Sequence, residues 1–336
     1  MDLILGALIT WAFFLLVIGY FISYKKNIRT ARILGWTIVI GTAIFSIALT
    51  TDASPTYRMI AIASLQLLSM KVIVMVEAYR GKPTLTIFQW LAFSLGWFGM
   101  RPNLFERFPS KPLDGVMLFV LKGVSRIGFG ILLLIASVYI QNDKYLHKPY
   151  ANIYFLYELV MLVGLSFILH FGILNLSTAS WRFSGVDVKE LFRSPYKATS
   201  LKEFWGKRWN MAFSEMTAMV IYKPLKIKYG IELAMITSFL VSGMLHEIAI
   251  SFPVKMGYGL PFLYFVLHGL AMYAEGNVSL VKKITSHSIA SHIWVFAWLI
   301  LPMPLLFHHV FIVEVVEPLR DLIIEFLIYL VHIIRL

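Results

Sequence analysis

Long apolar segments recur along the whole length of this 336-residue chain. A transmembrane helix needs about 20 consecutive apolar residues, and segments near that length begin at residues 3, 33, 59, 116, 151, 231, 259, 288 and 319. Charged side chains make up only 14% of the residues, against about 25% in an ordinary soluble domain. The sequence therefore excludes a water-soluble globular protein and predicts an all-α polytopic membrane protein with about eight or nine transmembrane helices.

The net charge is +12, from 30 Lys and Arg against 18 Asp and Glu. In a soluble protein this excess would suggest nucleic acid, but cytoplasmic loops of membrane proteins carry extra Lys and Arg in any case. We therefore expect a lipid bilayer and no nucleic acid as partner. Because the chain has no cysteine, disulfides, thiolate nucleophiles and sulfur-ligated metals are excluded.

Loop charges predict the topology. Residues 24–32 carry four positive charges and no negative one, which places this loop in the cytoplasm and the N-terminus outside. Residues 182–208 contain seven Lys or Arg and three Asp or Glu, so residues 182–210 are also expected in the cytoplasm. If residues 84–100 crossed the membrane, this second loop would lie outside. We therefore interpret residues 84–100 as a re-entrant or interfacial segment.

The chain shows no internal repeat and no flexible linker, which favours a single integral-membrane domain over residues 1–336. Residues 319–334 are ambiguous, because Asp321, Glu325 and His332 recur on one side of a helix, as in a helix that lies in the interface. The pair His308 and His309 is also expected at an interface. The lack of long soluble tails favours a bacterial inner membrane, with the endoplasmic reticulum as the eukaryotic counterpart.

Ionisable side chains inside apolar segments are functional candidates, because each costs about 2.5 to 3.5 kcal/mol at the helix centre on insertion scales. The candidates are Lys71, Glu77, Glu158, His170, His246, Glu247, His268 and His292. A zinc-protease motif is excluded because Ile250 replaces its second histidine. There is no phosphate-binding glycine loop and no nucleophile elbow, and we expect no metal and no cofactor.

Two short segments stand out. Residues 200–210, SLKEFWGKRWN, mix cations with three aromatic side chains and taken alone suit a membrane-surface helix. Residues 241–247, VSGMLHE, taken alone suit a packed helix interface with one hydrogen-bonded histidine. Asn210 and His246 lie 36 residues apart in this order.

Together the two segments resemble the signature of the membrane-bound O-acyltransferase superfamily, and within it the wax synthase branch. Every fixed position of the signature is matched, by Ser200, Leu201, Phe204, Trp205, Gly206, Arg208, Trp209 and Asn210, and then by Ser242, Gly243, His246 and Glu247. The resemblance covers about residues 196–250. A weaker similarity to wax-synthase-like proteins lies in residues 97–102, WFGMRP.

The resemblance implies transfer of an acyl group from acyl-CoA, as co-substrate, to an alcohol hydroxyl within a membrane-embedded tunnel. It assigns catalysis to His246 and Asn210. Expected substrate-binding residues are Trp205, Trp209, Arg208, Lys207, Glu247 and Ser242, although Glu247 also suits a hydrogen bond to a neighbouring helix. The implied acceptor is a long-chain fatty alcohol, which would give a wax ester; diacylglycerol, sterols and other hydroxyls remain alternatives.

The assignment is physically reasonable. An alcohol is a poor nucleophile at neutral pH, and a positioned base contributes about 10² to 10⁴-fold to the rate. Neutral imidazole suits this task. In a helix that starts near residue 231, His246 lies about 22 Å along, so Asn210 can approach it only if residues 204–222 enter the protein. Lys197, Lys202, Lys207 and Arg208 could attract the phosphates of CoA.

Two other classes remain open on sequence grounds. A transporter could use intramembrane Glu158, His170 and His246 as relay groups, although the paired broken helices of many transporters are not evident. A structural or regulatory membrane protein is the third class. The sequence patterns do not indicate an oligomeric state.

Overall fold

We describe residues 2–142 and 151–334 of a computed structural model of the chain. The described residues form helices and turns, and no β-strand occurs among them, which confirms the all-α class. In chain order the helices are α1 (Asp2–Ile22), α2 (Ile28–Leu49), α3 (Pro55–Tyr79), α4 (Ile87–Gly96), α5 (Val116–Asn142), α6 (Ala151–Ser166), α7 (Leu174–Phe183), α8 (Leu201–Glu203), α9 (Met211–Thr217), α10 (Lys223–Tyr229), α11 (Ile231–Val254), α12 (Leu260–Asn277), α13 (Ser279–Thr285), α14 (Ser288–Ile300), α15 (Met303–Leu306), α16 (His309–Phe311) and α17 (Glu317–Ile334).

Short helical turns of other types connect several of these helices. The π-helical turns are Phe167–Ile173, Phe204–Arg208, Ala218–Tyr222 and Ile312–Val316, and the 3₁₀ turns are Pro102–Phe105 and Pro195–Lys197. The π-turn Phe167–Ile173 continues α6 into α7, so that residues 155–183 form one long apolar stretch.

Seven helical stretches in the described part of the chain are long and apolar enough to cross a membrane. They are Leu3–Ile22, Ile28–Leu49, Pro55–Tyr79, Val116–Gln141, Phe155–Phe183, Ile231–Val254 and Ser288–Leu306. The two other predicted segments correspond to α12 and α17, whose polar and charged residues keep them outside this group. The protein is thus an integral membrane protein, whereas the central tunnel stays a prediction.

Helix α4, in the segment of residues 84–100, is shorter than a membrane-spanning helix. It has 10 residues, a length of about 15 Å at 1.5 Å per residue, which is half of a ~30 Å hydrocarbon core. Thr86 caps its start by accepting a hydrogen bond from the Gln89 amide, and Gln89 reciprocates to the Thr86 amide. This reciprocal cap fixes where the helix begins.

The contacts divide the chain into two units, Met1–Phe108 with Leu191–Phe311, and Pro109–Glu190 with Ile312–Leu336. In the first unit α1, α2 and α11 pack against α3, whose residues 68–77 are buried. Close approach requires small residues: a Cβ at Gly35 would lie 2.7 Å from the Ile73 side chain. Buried Leu8, Leu15 and Leu65 fill the space between α1 and α3.

Helices α11 and α12 form an antiparallel pair in the first unit. A Cβ at Gly243 would lie 2.9 Å from the Phe262 ring and 3.2 Å from the Phe262 backbone. Glycine therefore allows the two helices to approach closely at this point. This contact brings α12 against the part of α11 that carries His246.

The second unit consists of α5, α6, α7 and α17 with the intervening π-turns. The Tyr157 hydroxyl donates a hydrogen bond of 2.9 Å to Glu317, and Arg320 donates one of 2.7 Å to Gln141. Arg320 is buried, and its charge is compensated by Asp321 at 2.7 Å. The two hydrogen bonds attach the first turn of α17 to α5 and α6. The prediction of a single domain over residues 1–336 is not decided by this division and stays a prediction.

Candidate active site

Helix α11 carries His246, and one nitrogen of its imidazole ring makes a hydrogen bond within the helix. Its Nδ1 lies 2.7 Å from the carbonyl oxygen of Ser242, one helical turn earlier. A carbonyl oxygen can only accept a hydrogen bond, so Nδ1 carries the proton and Nε2 carries the lone pair in the neutral ring. The ring is thus held in the tautomer that a base acting through Nε2 requires.

Aromatic side chains surround the His246 ring. Phe265 of α12 lies with its centroid 4.2 Å from that of His246, and Phe213 of α9 lies at 5.5 Å, edge to face. Trp205 is 5.6 Å from Phe265 in turn. The segment 204–222 therefore does enter the protein and reach α11. An apolar surrounding of this kind favours the neutral imidazole.

Trp205 joins the signature segment to a second histidine. Its indole Nε1 donates a hydrogen bond of 3.1 Å to Nδ1 of His268, a fully buried residue of α12. Its carbonyl accepts a hydrogen bond of 2.6 Å from the Ser214 hydroxyl of α9. Both ends of Trp205 are thereby fixed, which places its ring beside Phe265.

The signature segment begins with a side-chain cap. The Ser200 hydroxyl accepts a hydrogen bond of 3.0 Å from the Glu203 amide, as an N-cap serine does. The Glu203 carboxylate accepts from the Thr199 amide and pairs with Arg208 at 2.6 Å. Hydrogen bonds from the Thr199 backbone and the Arg208 guanidinium hold the pKa of Glu203 below its usual value.

Arg208 is occupied by the loop itself. Besides its pair with Glu203, its Nη1 donates to the carbonyls of Arg193 at 3.2 Å and Ser194 at 3.3 Å. Lys207, Lys202 and Lys197 are exposed. The lysines are therefore better placed than Arg208 to meet an anionic ligand, and the binding roles of Lys207 and Arg208 stay predictions.

Helix α12 supplies an acidic residue that the sequence patterns did not single out. The Glu275 carboxylate accepts hydrogen bonds from the Leu201 amide at 2.7 Å, the Lys202 amide at 3.3 Å and the Trp294 indole at 2.9 Å. It thus satisfies the amide groups at the start of α8, where negative charge is favourable. Glu275 fixes the signature segment to α12 and α14.

Asn210 occupies an unusual backbone position. Its φ is 43° and its ψ is 64°, in the left-handed region that Asn tolerates better than most residues. Its side-chain oxygen accepts a hydrogen bond of 3.2 Å from the Phe213 amide and so caps α9. The amide nitrogen of the side chain remains available as a donor. The catalytic role of Asn210 stays a prediction.

Glu247 and Ser242 make hydrogen bonds within the two helices that pack at His246. The Glu247 carboxylate accepts hydrogen bonds from the Gly259 amide at 2.9 Å and the Phe262 amide at 3.3 Å, at the start of α12. The Ser242 hydroxyl donates to the Ser238 carbonyl at 2.7 Å. The contacts of Glu247 are those of a helix partner. Substrate-binding roles for both residues stay predictions.

Trp209 belongs to an aromatic cluster at the end of the signature segment. Its ring stacks on Phe204 at 5.4 Å with an interplanar angle of 14°, and it meets Phe192 edge to face at 4.9 Å. Because these contacts fix the ring within the loop, Trp209 stabilises the turn that precedes Asn210. The predicted contact of Trp209 with substrate stays a prediction.

The WFGMRP segment lies next to α9. Lys71 of α3 is fully buried, and its ammonium donates to the carbonyls of Phe93, Trp97 and Gly99. Glu215 of α9 pairs with Arg101 at 2.8 Å. The sequence offered one signal for Glu215, since it is the only charged residue in the apolar run 211–222.

Within residues 2–142 and 151–334, no group of three His, Cys, Asp or Glu side chains could hold a metal ion. The expectation that the reaction needs no metal and no cofactor stays a prediction.

Residues 188–267 match the model of the membrane bound O-acyl transferase family. The chain carries a membrane-bound O-acyltransferase segment. It includes His246, Asn210 and the whole signature, and it extends the predicted signature region of about 196–250 at both ends. The resemblance that the two short segments indicated is thereby confirmed.

Individual relatives point to the wax synthase branch. A segment of the chain is 29% identical over 136 residues to a long-chain-alcohol O-fatty-acyltransferase of Simmondsia chinensis, covering 35% of this chain and 39% of that protein. Another is 28% identical over 145 residues to the acyl-CoA–sterol O-acyltransferase 1 of Arabidopsis thaliana, covering 40% of this chain and 37% of that protein. The matched segments thus span less than two fifths of these relatives' length.

Proposed function

We propose that this membrane-bound O-acyltransferase transfers an acyl group from acyl-CoA to the hydroxyl of a lipophilic alcohol, with a long-chain fatty alcohol as acceptor and a wax ester as product. The observation that carries the proposal is the hydrogen bond between His246 Nδ1 and the Ser242 carbonyl within the family segment. The fatty-alcohol acceptor is supported by the name of the Simmondsia chinensis relative.

In this mechanism His246 Nε2 accepts the proton of the alcohol hydroxyl while the alcohol oxygen attacks the thioester carbonyl carbon. The carbon–sulfur bond then breaks, and the proton passes from the imidazolium to the departing CoA thiolate. Acyl-CoA and alcohol are thus converted to ester and CoA without a covalent acyl-enzyme. The side-chain amide of Asn210 would donate a hydrogen bond to a substrate oxygen, an interaction that stabilises charge in the transition state.

The exposed lysines of the signature segment suit the CoA end of the substrate. Within residues 2–142 and 151–334, no acidic side chain lies as close to Lys197, Lys202 or Lys207 as Glu203 lies to Arg208, at 2.6 Å, so the charge of these lysines is available to attract phosphates. Lys207→Ala should raise the Michaelis constant for acyl-CoA without changing kcat. An unchanged constant would remove Lys207 from the CoA site.

A sterol is a second candidate acceptor, favoured by the name of the Arabidopsis thaliana relative. Each acceptor would present a hydroxyl to His246, and the two differ in the width of the apolar group that carries the hydroxyl. A linear alkyl chain and a fused ring system are therefore separated by competition between the two alcohols at equal concentration.

The decisive assay uses the purified full chain with radiolabelled acyl-CoA and a panel of fatty alcohols, sterols and diacylglycerol. We expect a labelled ester with long-chain alcohols. Sterol ester alone would move the acceptor to the second candidate. If no acceptor gives an ester, the proposal is wrong, and solute uptake into proteoliposomes would test the transporter class.

We also propose the topology that the loop charges predict, with the N-terminus outside and residues 182–210 in the cytoplasm. The exposed Lys197, Lys202 and Lys207 support it. A bacterial inner membrane, or the endoplasmic reticulum in a eukaryotic cell, is the proposed location.

A further inference from the structure

Glu215 is the single acidic residue of α9, and its side chain is only 11% exposed. Its Oε1 pairs with Arg101 Nε at 2.8 Å, and its Oε2 accepts a hydrogen bond of 3.4 Å from the Met100 amide. Both partners come from the WFGMRP segment, more than 100 residues earlier in the chain. Glu215 therefore joins α9 to a remote part of the fold.

Helix α9 also contacts His246 through Phe213. The amide of Phe213 is capped by Asn210, and the Phe213 ring is 5.5 Å from the His246 ring. The Ser214 hydroxyl bonds the Trp205 carbonyl. The helix has seven residues, too few to be stable alone, so its position depends on contacts with its surroundings.

The WFGMRP segment is itself anchored. The buried Lys71 ammonium donates hydrogen bonds to the carbonyls of Phe93, at 2.7 Å, and of Trp97 and Gly99. The ammonium also lies 3.9 Å from the centre of the Phe93 ring. These contacts hold the end of α4 and the residues just before Arg101, so Arg101 is attached to an immobilised backbone.

We propose that Arg101 and Glu215 are positioning residues that hold α9, and with it Asn210 and Phe213, against His246. The inference rests on the proposed acyl transfer, because it gives the ion pair a role in that reaction. Burial raises the pKa of Glu215, and the Arg101 guanidinium opposes this effect. The ion pair thus joins a partly buried carboxylate of α9 to the backbone-anchored Arg101.

The test compares kinetics of purified full-length variants. Arg101→Ala should lower kcat by about 10 to 100-fold while the Michaelis constant for acyl-CoA stays within about twofold, because a displacement of about 1 Å can cost 10²-fold in rate. Arg101→Lys, which keeps the charge, should recover most of the rate. Glu215→Gln should reproduce the loss from the other partner.

A matched control is available in the same unit. Arg32 of α2 forms an equivalent pair with buried Glu77 of α3, with 38% of the arginine side chain and 4% of the glutamate side chain exposed. This pair joins α2 to α3 and includes no residue of α9. Arg32→Ala should leave kcat per folded molecule unchanged even if it lowers the melting temperature.

The outcomes separate the two proposals. If the parent makes ester and Arg101→Ala keeps kcat within about twofold, the positioning role is wrong and acyl transfer stands. If Arg101→Ala and Arg32→Ala lower rate and melting temperature in parallel, the ion pair is only structural and the inference fails. If the parent makes no ester with any alcohol, acyl transfer fails and the positioning role fails with it.

Discussion

His246 depends on a hydrogen bond made on the side of its ring away from the proposed substrate. Because Nδ1–H donates a hydrogen bond to the Ser242 carbonyl, Nε2 is the basic nitrogen. The rings of Phe213 and Phe265 pack against the imidazole. The residue thus combines a fixed tautomer with an apolar environment, two properties that a general base for an alcohol requires.

The Asn210 side chain has two separable parts, an oxygen that caps α9 and an amide nitrogen that the proposed mechanism assigns to a substrate oxygen. Asn210→Asp keeps the capping oxygen and tolerates the left-handed backbone, but it lacks the amide donor. We expect the rate of ester formation to fall by about 10² to 10³-fold with an unchanged melting temperature. Steady-state kinetics and a thermal melt of the same preparation provide the measurement.

Asn210→Gly is the control for this experiment, since glycine accepts the backbone angles but removes both the cap and the donor. It should lose activity as well and also some stability. If Asn210→Asp retains the parental rate, the cap explains the presence of asparagine and the catalytic role is wrong.

At the scale of elements, the signature segment is held by α12 as well as by its own neighbours in sequence. Glu275 accepts three hydrogen bonds from α8 and α14, and Glu247 bonds the first turn of α12 to α11. The helix that packs on His246 through Phe265 therefore also fixes the start of the segment that ends in Asn210.

Glu275→Ala should destabilise the protein by about 3 kcal/mol, because it removes three hydrogen bonds to a charged group, at about 1.5 to 3 kcal/mol each, while it also removes the cost of burying the carboxylate. The apparent melting temperature in detergent measures this loss. Glu232, an exposed acid at the start of α11, provides the control. If Glu232→Ala is equally destabilising, the bonds of Glu275 are not the cause.

His308 gives the first unit a dependence on pH. The position of His308 and His309 at a membrane interface stays a prediction, and of the two side chains His308 is buried and His309 is exposed. The reason is local: His308 Nδ1 accepts a hydrogen bond from the Phe311 amide, and its ring lies against Gly257. Burial lowers the pKa of His308, against the effect of the Glu247 carboxylate.

The lowered pKa of His308 determines how the stability of the folded protein changes with pH. In the unfolded chain His308 keeps its ordinary pKa of about 6.5, so acid favours the unfolded state, and stability present above about pH 6.5 is lost as the pH falls below it. His308→Gln should show a smaller fall in melting temperature between about pH 7.5 and about pH 5.5 than the parent. His309→Gln should behave like the parent; identical slopes for all three proteins would refute the prediction.

At the scale of the whole molecule, apolar segments and loop charge in the sequence predicted the all-α class and the short segment at residues 84–100, and residues 200–210 and 241–247 indicated the family by their resemblance to its signature. These features depend on neighbours in the chain. The partners of Trp205, Glu215 and Lys71 were not predicted, because they lie 63, 115 and up to 28 residues away and depend on how the helices pack. The left-handed backbone of Asn210 and its cap on α9 were not predicted, because the signature assigns this residue a catalytic role.

The absence of cysteine makes the proposed topology directly testable. Single cysteines introduced at Asp52, Lys26 and Lys111 report on three loops. A membrane-impermeant maleimide should label Asp52→Cys in intact cells, and should label Lys26→Cys and Lys111→Cys only after permeabilisation. Labelling of Lys111→Cys from outside would mean that the segment containing α4 crosses the membrane, contrary to the re-entrant interpretation.

The central claim is that His246 is the base in acyl transfer. The most direct measurement is the rate of ester formation by His246→Ala at a matched amount of folded protein. The control is His292→Ala, because His292 makes the same 2.7 Å bond to a carbonyl one turn earlier, that of Ser288, but lies in α14. We predict a loss of about 10² to 10⁴-fold for His246→Ala and the parental rate for His292→Ala. Ester formation at the parental rate by His246→Ala would contradict the account.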